Sequence, residues 1–424
     1  MIRTSLVSLV ALAGTAAAQP APTPPAPPTS PAPPAPAAQP ADQPPVAPPE
    51  TATPPGPDAP AKLPEPAPSP PPPPPRKEEP TAAKIVVGKT GQGFAQLGIL
   101  AQGWFVLERG NDLTTSTFRL RRAEISVKGE ILPKHVGYSI MFDSAKVREF
   151  GTTTVAGPPD AEGNPTTVTV RQPVSAVSAL QDFYITFLSP YIDVSLGQFK
   201  IPVSWEGYNP SSRVIMPERA FVSVQYGDRR DLGMRLAKTF EKWGYSAGVF
   251  NGPGLNNLDN NNQKDVALRL EAYPIKGLTI AGVTYDSVGY RQRAGTKDRW
   301  EGDVRYEGGP YLVQAEYIRS RDVTRDKADP VNGQGFYVAA GYTLKKTPLP
   351  LHGDLQPVVR VGYLDQDADH DAPAGATDEL VHYDVGVNYY LRANEMKLQA
   401  VYEHQHFDDK PANNQVIVAA QVNY

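Results

Sequence analysis

From Gly91 to Tyr424 the apolar and polar residues take turns. Val416, Val418, Ala420, Val422 and Tyr424 alternate with Gln415, Ile417, Ala419, Gln421 and Asn423. Further back, Val381, Tyr383, Val385, Val387, Tyr389 and Leu391 alternate with His382, Asp384, Gly386, Asn388 and Tyr390. Around Ala123 one face reads Ala123, Ile125, Val127 and Ile131, and the other Arg122, Glu124, Ser126, Lys128 and Glu130. A period of two held over about ten residues makes a strand with one apolar and one polar face. Sixteen such segments can be placed, at 93–108, 116–131, 135–145, 177–188, 191–200, 231–240, 243–250, 264–273, 277–288, 298–307, 310–320, 334–346, 356–365, 379–392, 395–407 and 414–424.

The connections between them also alternate. Leu132-Pro133-Lys134, Ser189-Pro190, Glu241-Lys242, Tyr273–Lys276, Gly308-Gly309 and Ala393-Asn394 are tight, and 347–355 is the one longer turn on that side. Between them lie polar segments at 146–176, 201–230, 251–263, 289–297, 321–333, 366–378 and 408–413. Long connections on one side, short ones on the other and an even strand count mark an outer-membrane barrel. A soluble sandwich has no reason to sort loop length by side. The fold class is therefore all-β: a 16-stranded antiparallel transmembrane β-barrel behind a disordered Pro-rich N-terminal arm.

Face polarity agrees. The proposed inner face carries Arg122, Glu124, Lys128, Arg235, Arg269, Glu271, Asp303, Arg305, Glu316, Arg360, Asp384, Arg392, Lys397 and Glu403. Sixteen strands enclose an aqueous channel, so these charges can be solvated. The apolar face then meets lipid, with Tyr138, Phe142, Phe183, Phe187, Trp300, Tyr306, Tyr311, Tyr317, Tyr363 and Tyr389 as members of the interfacial girdles.

The chain before the barrel is of a different kind. Residues 1–18 have a basic start at Arg3, an apolar run from Leu6 to Leu12 and an A-x-A site at Ala16–Ala18, which is a secretory signal peptide. Residues 19–90 form a Pro/Ala-rich periplasmic linker; 29 of the 47 prolines fall in the first 80 residues, too many for a packed core. This arm is a spacer or a plain flexible linker, and peptidoglycan is a partner that it can reach. The barrel is 91–424. Cysteine is absent, which excludes disulfides and thiol metal sites. A net charge of −4 does not suggest a nucleic-acid binder.

Four stretches carry a family resemblance: FRLRRAEISVKGEI (118–131), LQDFYITF (180–187), SLGQFKIPVSWEGY (195–208) and RRDLGMRL (229–236). In their order they resemble the phosphate-selective porins O and P. The resemblance covers 90–424 in architecture, is most specific over 116–240 and leaves the arm outside. It implies passive diffusion of small hydrophilic solutes, a preference for anions such as phosphate, a homotrimer, and a third external loop that folds into the lumen. Tyr424 stands where such barrels more often end on phenylalanine. The loop after Phe199, residues 201–230, is then the constriction. Lys200, Arg213, Arg219, Arg229 and Arg230 are its cationic candidates, with Arg122, Arg235, Arg269, Arg305 and Arg360 on the wall along the anion path. Arginine suits phosphate because its planar fork donates two hydrogen bonds. Glu206, Glu218, Asp228 and Asp231 sit among these cations, so the loop is nearly balanced in charge. Paired charges holding the loop to the wall are the competing account. Alternation sends Arg122 inward and places Arg119 and Arg121 near the rim, snorkelling or touching lipid headgroups.

Other signals are weaker. Asp365, Asp367, Asp369 and Asp371 alternate, but lack the glycine and terminal glutamate of a calcium loop, so a solvated acidic loop is the better reading. His404 and His406 share a strand face without a third ligand. No Ser-His-Asp set or G-x-S-x-G elbow is present. No catalytic residue, metal or cofactor is expected. The alternative to a channel is a structural outer-membrane foot tethered to the cell wall by the arm.

Overall fold

The computed structural model describes residues 84–87, 93–109, 114–148, 150–157, 166–173, 179–259, 262–288, 296–323, 330–369, 378–408 and 411–424. The expected signal peptide, and the expected linker apart from 84–87, lie outside them.

Sixteen antiparallel strands close on themselves. In chain order the strands are β1 (Lys84–Val87), β2 (Gly93–Arg109), β3 (Thr114–Leu132), β4 (Val136–Asp143), β5 (Phe150–Gly157), β6 (Thr166–Pro173), β7 (Leu180–Phe187), β8 (Asp193–Lys200), β9 (Arg230–Thr239), β10 (Trp243–Phe250), β11 (Lys264–Ala272), β12 (Leu278–Val288), β13 (Lys297–Gly308), β14 (Tyr311–Asp322), β15 (Val331–Tyr342), β16 (Asp354–Asp365), β17 (Glu379–Arg392), β18 (Met396–Phe407) and β19 (Asn413–Asn423). β19 pairs with β2 from Asn414↔Arg109 to Asn423↔Leu100, which closes the barrel. β5 and β6 form a separate hairpin inside the loop between β4 and β7. β1 lies within the segment read as linker and extends the edge of β2 at the short-turn end.

The barrel strands fall within a few residues of the segments read from alternation. The largest shift is at β15, which begins at Val331 and stops at Tyr342. Lys346 there adopts a left-handed φ of 52° and turns the chain before the next strand.

Burial is inside-out, as a membrane requires. On β11, Arg269 is 1% exposed and Asp265 is buried, whereas Val266, Leu268 and Leu270 face outward. The core of this protein is thus the polar lumen together with what fills it. Phe142, Phe183, Phe187, Trp300, Tyr306, Tyr311 and Tyr317 are exposed on the outer face, as girdle residues should be.

Gly197, in the middle of β8, has φ +133°, and a Cβ there would stand 2.2 Å from the Phe183 carbonyl oxygen on β7. Only glycine tolerates both the conformation and the approach. Gly197→Val is expected to reduce assembly of the folded barrel. The readout is loss of the compact, fast-migrating band of unheated protein on denaturing electrophoresis.

Candidate functional site

β8 does not simply end at Lys200; it turns into the lumen. Phe199, Ile201 and Val203 are buried against Phe250, Ala267, Val283 and Tyr285, an apolar patch on the inner wall. A second patch receives the far end of the loop. Ile215, Met216, Ala220, Val222 and Tyr226 pack on Leu312, Ile318, Tyr337, Ala339, Val358 and Val401. A short helix α1 (Trp205–Tyr208) runs between these seats, and a second, α2 (Phe221–Tyr226), packs in the second seat. Removing these side chains from water inside a polar lumen supplies the drive that folds the loop inward. The sequence held a signal for the second seat. The run PVVRVGYL (357–364) is apolar on both faces apart from Arg360, as a strand covered on both sides should be.

Hydrogen bonds finish the docking. Ser204 takes φ 65° and its side chain caps Gly207 N–H. Wall carboxylates take the neighbouring amides: Ser204 N donates to Glu301 at 2.5 Å and Trp205 N to Glu316 at 2.8 Å. Ser223 Oγ donates to the other oxygen of Glu316. The loop carbonyls are met by wall donors. Lys397 Nζ reaches Val214 O at 2.8 Å, Gln399 and Asn388 both reach Ile215 O, and Arg360 Nη1 reaches Glu218 O at 2.9 Å. The backbone groups of an irregular segment buried in this way need such partners.

Each expected site residue can now be placed. Arg360 is 2% exposed and joins Asp384 (2.5 Å) and Glu206 (4.0 Å). Arg269 is held among Glu271, Asp303 and Glu301 on the wall. Arg305 lies over the Trp205 ring at 4.3 Å and bonds Gln314 and Glu307. Arg219 is buried within the loop; it donates to Glu206 O at 2.6 Å and pairs with Asp228 at 3.1 Å. Arg122 pairs with Glu218 at 2.9 Å and donates to Gln102. Lys200 donates to Gly207 O and Asn209 O and lies 3.6 Å from Asp228. Arg230 pairs with Asp182 at 2.8 Å. Arg235 donates to Tyr208 Oη and Ser195 Oγ and sits over the Phe199 ring at 4.7 Å. Arg229 donates to Gln225 O. Arg213 is exposed. Arg213, Arg229 and Arg235 have no carboxylate partner among the described residues.

The rim reading of Arg119 and Arg121 is corrected by a β-bulge. Gln102 pairs with Arg122 but Gly103 with Leu120, so Arg121 is an extra residue in β3. A one-residue slip flips every side chain beyond it to the other face. Arg119 consequently lies opposite Trp104, whose ring is on the inner face, and Arg121 bonds Glu218 inside the lumen. Burial alone would raise the Glu218 carboxyl, but Arg122 and Arg121 draw it down to about 2. Its folded value lies below the ordinary one, so the tie is at full strength above the ordinary carboxylate range and is lost only as pH falls through about 2. Asp228 is likewise held below its usual range, with Arg219 and Lys200 overcoming the cost of burial.

The loop covers the inner wall of β10–β18 and leaves space along the other side. A cavity of about 540 Å³ opens between residues 208–212 and the wall of β2–β4 and β7–β9. Its charged lining is Lys128, Lys200, Arg230 and Arg235 against Glu124 and Asp182. A smaller cavity of about 220 Å³ lies toward the long-loop end, lined by Lys146, Arg229, Arg230, Asp228, Asp231 and Lys297 among others. Arg230 borders both cavities.

Of the acidic run near 365–371, Asp365 accepts from Asp367 N and Asp369 from Asn332 Nδ2, while Asp371 lies outside the described residues. His404 bonds Asn414 through Nδ1.

Comparison with known proteins follows the same lines. The family model described as phosphate-selective porin O and P matches residues 105–304 and 290–424. Among solved structures, the porin OmpF of Salmonella typhi aligns with a TM-score of 0.55 at 12% identity, over 81% of this chain and 100% of that one. An OmpT variant of Vibrio cholerae aligns at 0.52 and 12%, over 78% and 100%. The outer-membrane channel DcaP of Acinetobacter baumannii aligns at 0.51 and 13%, over 80% and 99%. These share the barrel fold. No curated protein matches by sequence.

Proposed function

This chain belongs to the phosphate-selective porin O and P family, an outer-membrane channel by family and fold, and from that premise we propose that it passes small hydrophilic anions, phosphate among them, through a throat narrowed by residues 201–229. The observation that carries this reading is the lining of the open side. Four cations face two carboxylates there, Arg235 has no acidic partner among the described residues, and Arg213 stands exposed on the loop nearby. A pore selects by presenting fixed charge where the ion sheds water, and it must release what it binds. Lys200, Arg230, Arg235, Arg213 and Arg229 serve the permeating anion. Arg122, Arg219, Arg269, Arg305 and Arg360 hold the loop and its wall in place. No covalent chemistry enters.

The remaining assignments complete the reading. Residues 1–18 direct export, 19–90 lie in the periplasm within reach of peptidoglycan, and three copies assemble, as the family resemblance implies.

Single-channel recording in planar bilayers under a salt gradient tests the proposal. The reversal potential is expected to show anion preference, and added phosphate to block chloride current. Arg235→Ala, which removes a lining cation without a carboxylate partner, should shift the reversal potential toward zero at nearly unchanged conductance. A cation-selective wild-type pore would defeat the anion reading and leave the channel.

A further inference from the structure

We propose that Glu218 is a built-in anion: its carboxylate fills an oxyanion seat that a permeating phosphate or carboxylate takes over in passing the throat. The inference rests on the anion reading above and adds a residue that works against it.

Neighbouring residues in a strand ordinarily point to opposite faces. The bulge in β3 breaks this rule, and Arg121 and Arg122 both reach the lumen. They close on one carboxylate. Glu218 Oε2 accepts from Arg121 Nε at 2.5 Å, and Oε1 accepts from Arg122 Nη2 at 2.9 Å and from the backbone N–H of Arg219 at 3.0 Å. Three donors, two of them charged, converge as they would on a bound oxyanion. Arg122 is held in position by Gln102, to which its other terminal nitrogen donates at 2.7 Å.

Glu218 also differs from the carboxylates that merely fasten the loop. The Glu206 side chain is fully buried beside Arg360. The Glu218 side chain is 23% exposed and that of Arg121 is 33% exposed, so water reaches the seat. A tethered group competes at an effective concentration in the millimolar range or above. An incoming anion therefore binds weakly on balance even though the seat itself is strong, which is the condition for flux rather than capture. The near balance of charge in the loop then has a use. The carboxylate offsets part of the charge of the two arginines when the throat holds no permeant ion, and it gives way when one arrives.

The test is recording of the intact protein in planar bilayers with inorganic phosphate as the probe, comparing wild type, Glu218→Gln and the double variant Glu218→Gln/Arg121→Gln. Glutamine keeps the size and a carbonyl acceptor but removes the charge. In Glu218→Gln the half-blocking phosphate concentration is expected to fall about tenfold, the scale of one charge-assisted contact. The anion-to-cation permeability ratio should rise with it. The double variant should lose that gain, because a donor of the seat is gone. Unchanged block and selectivity in Glu218→Gln would overturn the proposal. So would a larger conductance without phosphate block, which would make Glu218 a strap only, and so would a double variant that keeps the gain. A wild-type pore that prefers cations refutes the anion reading alone; Glu218→Gln turning such a pore toward anions would still support the built-in anion.

Discussion

Arg360→Met releases the inner loop and costs the barrel about 3–5 kcal/mol, the penalty for leaving buried charges without their partner. Arg360 stands where three elements meet. It pairs with Asp384 on its neighbouring strand, lies 4.0 Å from Glu206 of the loop, and donates to the Glu218 carbonyl. The Arg360, Asp384 and Glu206 side chains are each 1% exposed or less, so water cannot replace what is lost. Methionine has nearly the right length, which makes the experiment one about charge and not about a hole. The denaturant midpoint should drop with little change in slope. Proteolysis within 201–229 should become easier in folded protein, and single channels should turn noisy and less selective. A variant with the wild-type midpoint and quiet channels would show that Asp384 and Glu206 are carried by other groups.

Excising residues 205–226 and closing the gap with a short flexible link should have the opposite balance. The sixteen-strand hydrogen-bond ladder does not depend on the loop, so the barrel is expected to fold and to run as a compact band before heating. Glu316 loses the Trp205 amide and the Ser223 hydroxyl, and Lys397 loses the carbonyls of Ser212 and Val214, but water now floods the lumen and solvates them. Charges left in a dry site are costly, and the same charges in a wet channel are not. Conductance should rise several-fold and selectivity should fall toward that of bulk electrolyte. The contrast with Arg360→Met separates two roles of the loop: it narrows the pore, and it creates the dry environment that makes its own fastenings matter. An excised barrel with unchanged conductance would place the constriction elsewhere.

The two variants also show why the loop could be located but not assigned in detail from the sequence. The run GQFKIPVSW marks a strand that ends abruptly in a mixed-charge excursion, and this much can be read from residues in order. Which charges pair cannot. Arg219, an expected channel cation, is folded into the loop between Glu206 O and Asp228. Arg121, expected near the rim, is swung inside by one extra residue. The wall residues that fasten the loop, Glu301, Glu316, Asn388, Gln399 and Lys397, lie about 100 to 200 positions from it along the chain, and no spacing rule joins them.

The sequence by itself determined the barrel. Strand period, the sorting of long and short connections and the inverted polarity of the faces are local properties, each repeated along the whole barrel, so an error in one segment is outvoted by the others. The bilayer adds a constraint that admits few structures, since every backbone group crossing it needs a partner within the protein. Only the tertiary structure decided the site. The site depends on one loop, on the bulge at Arg121 in β3 and on ion pairs between distant strands. Whether a given arginine faces a passing ion or a neighbouring carboxylate is a matter of a few ångströms, set by closure of the whole sheet around the loop.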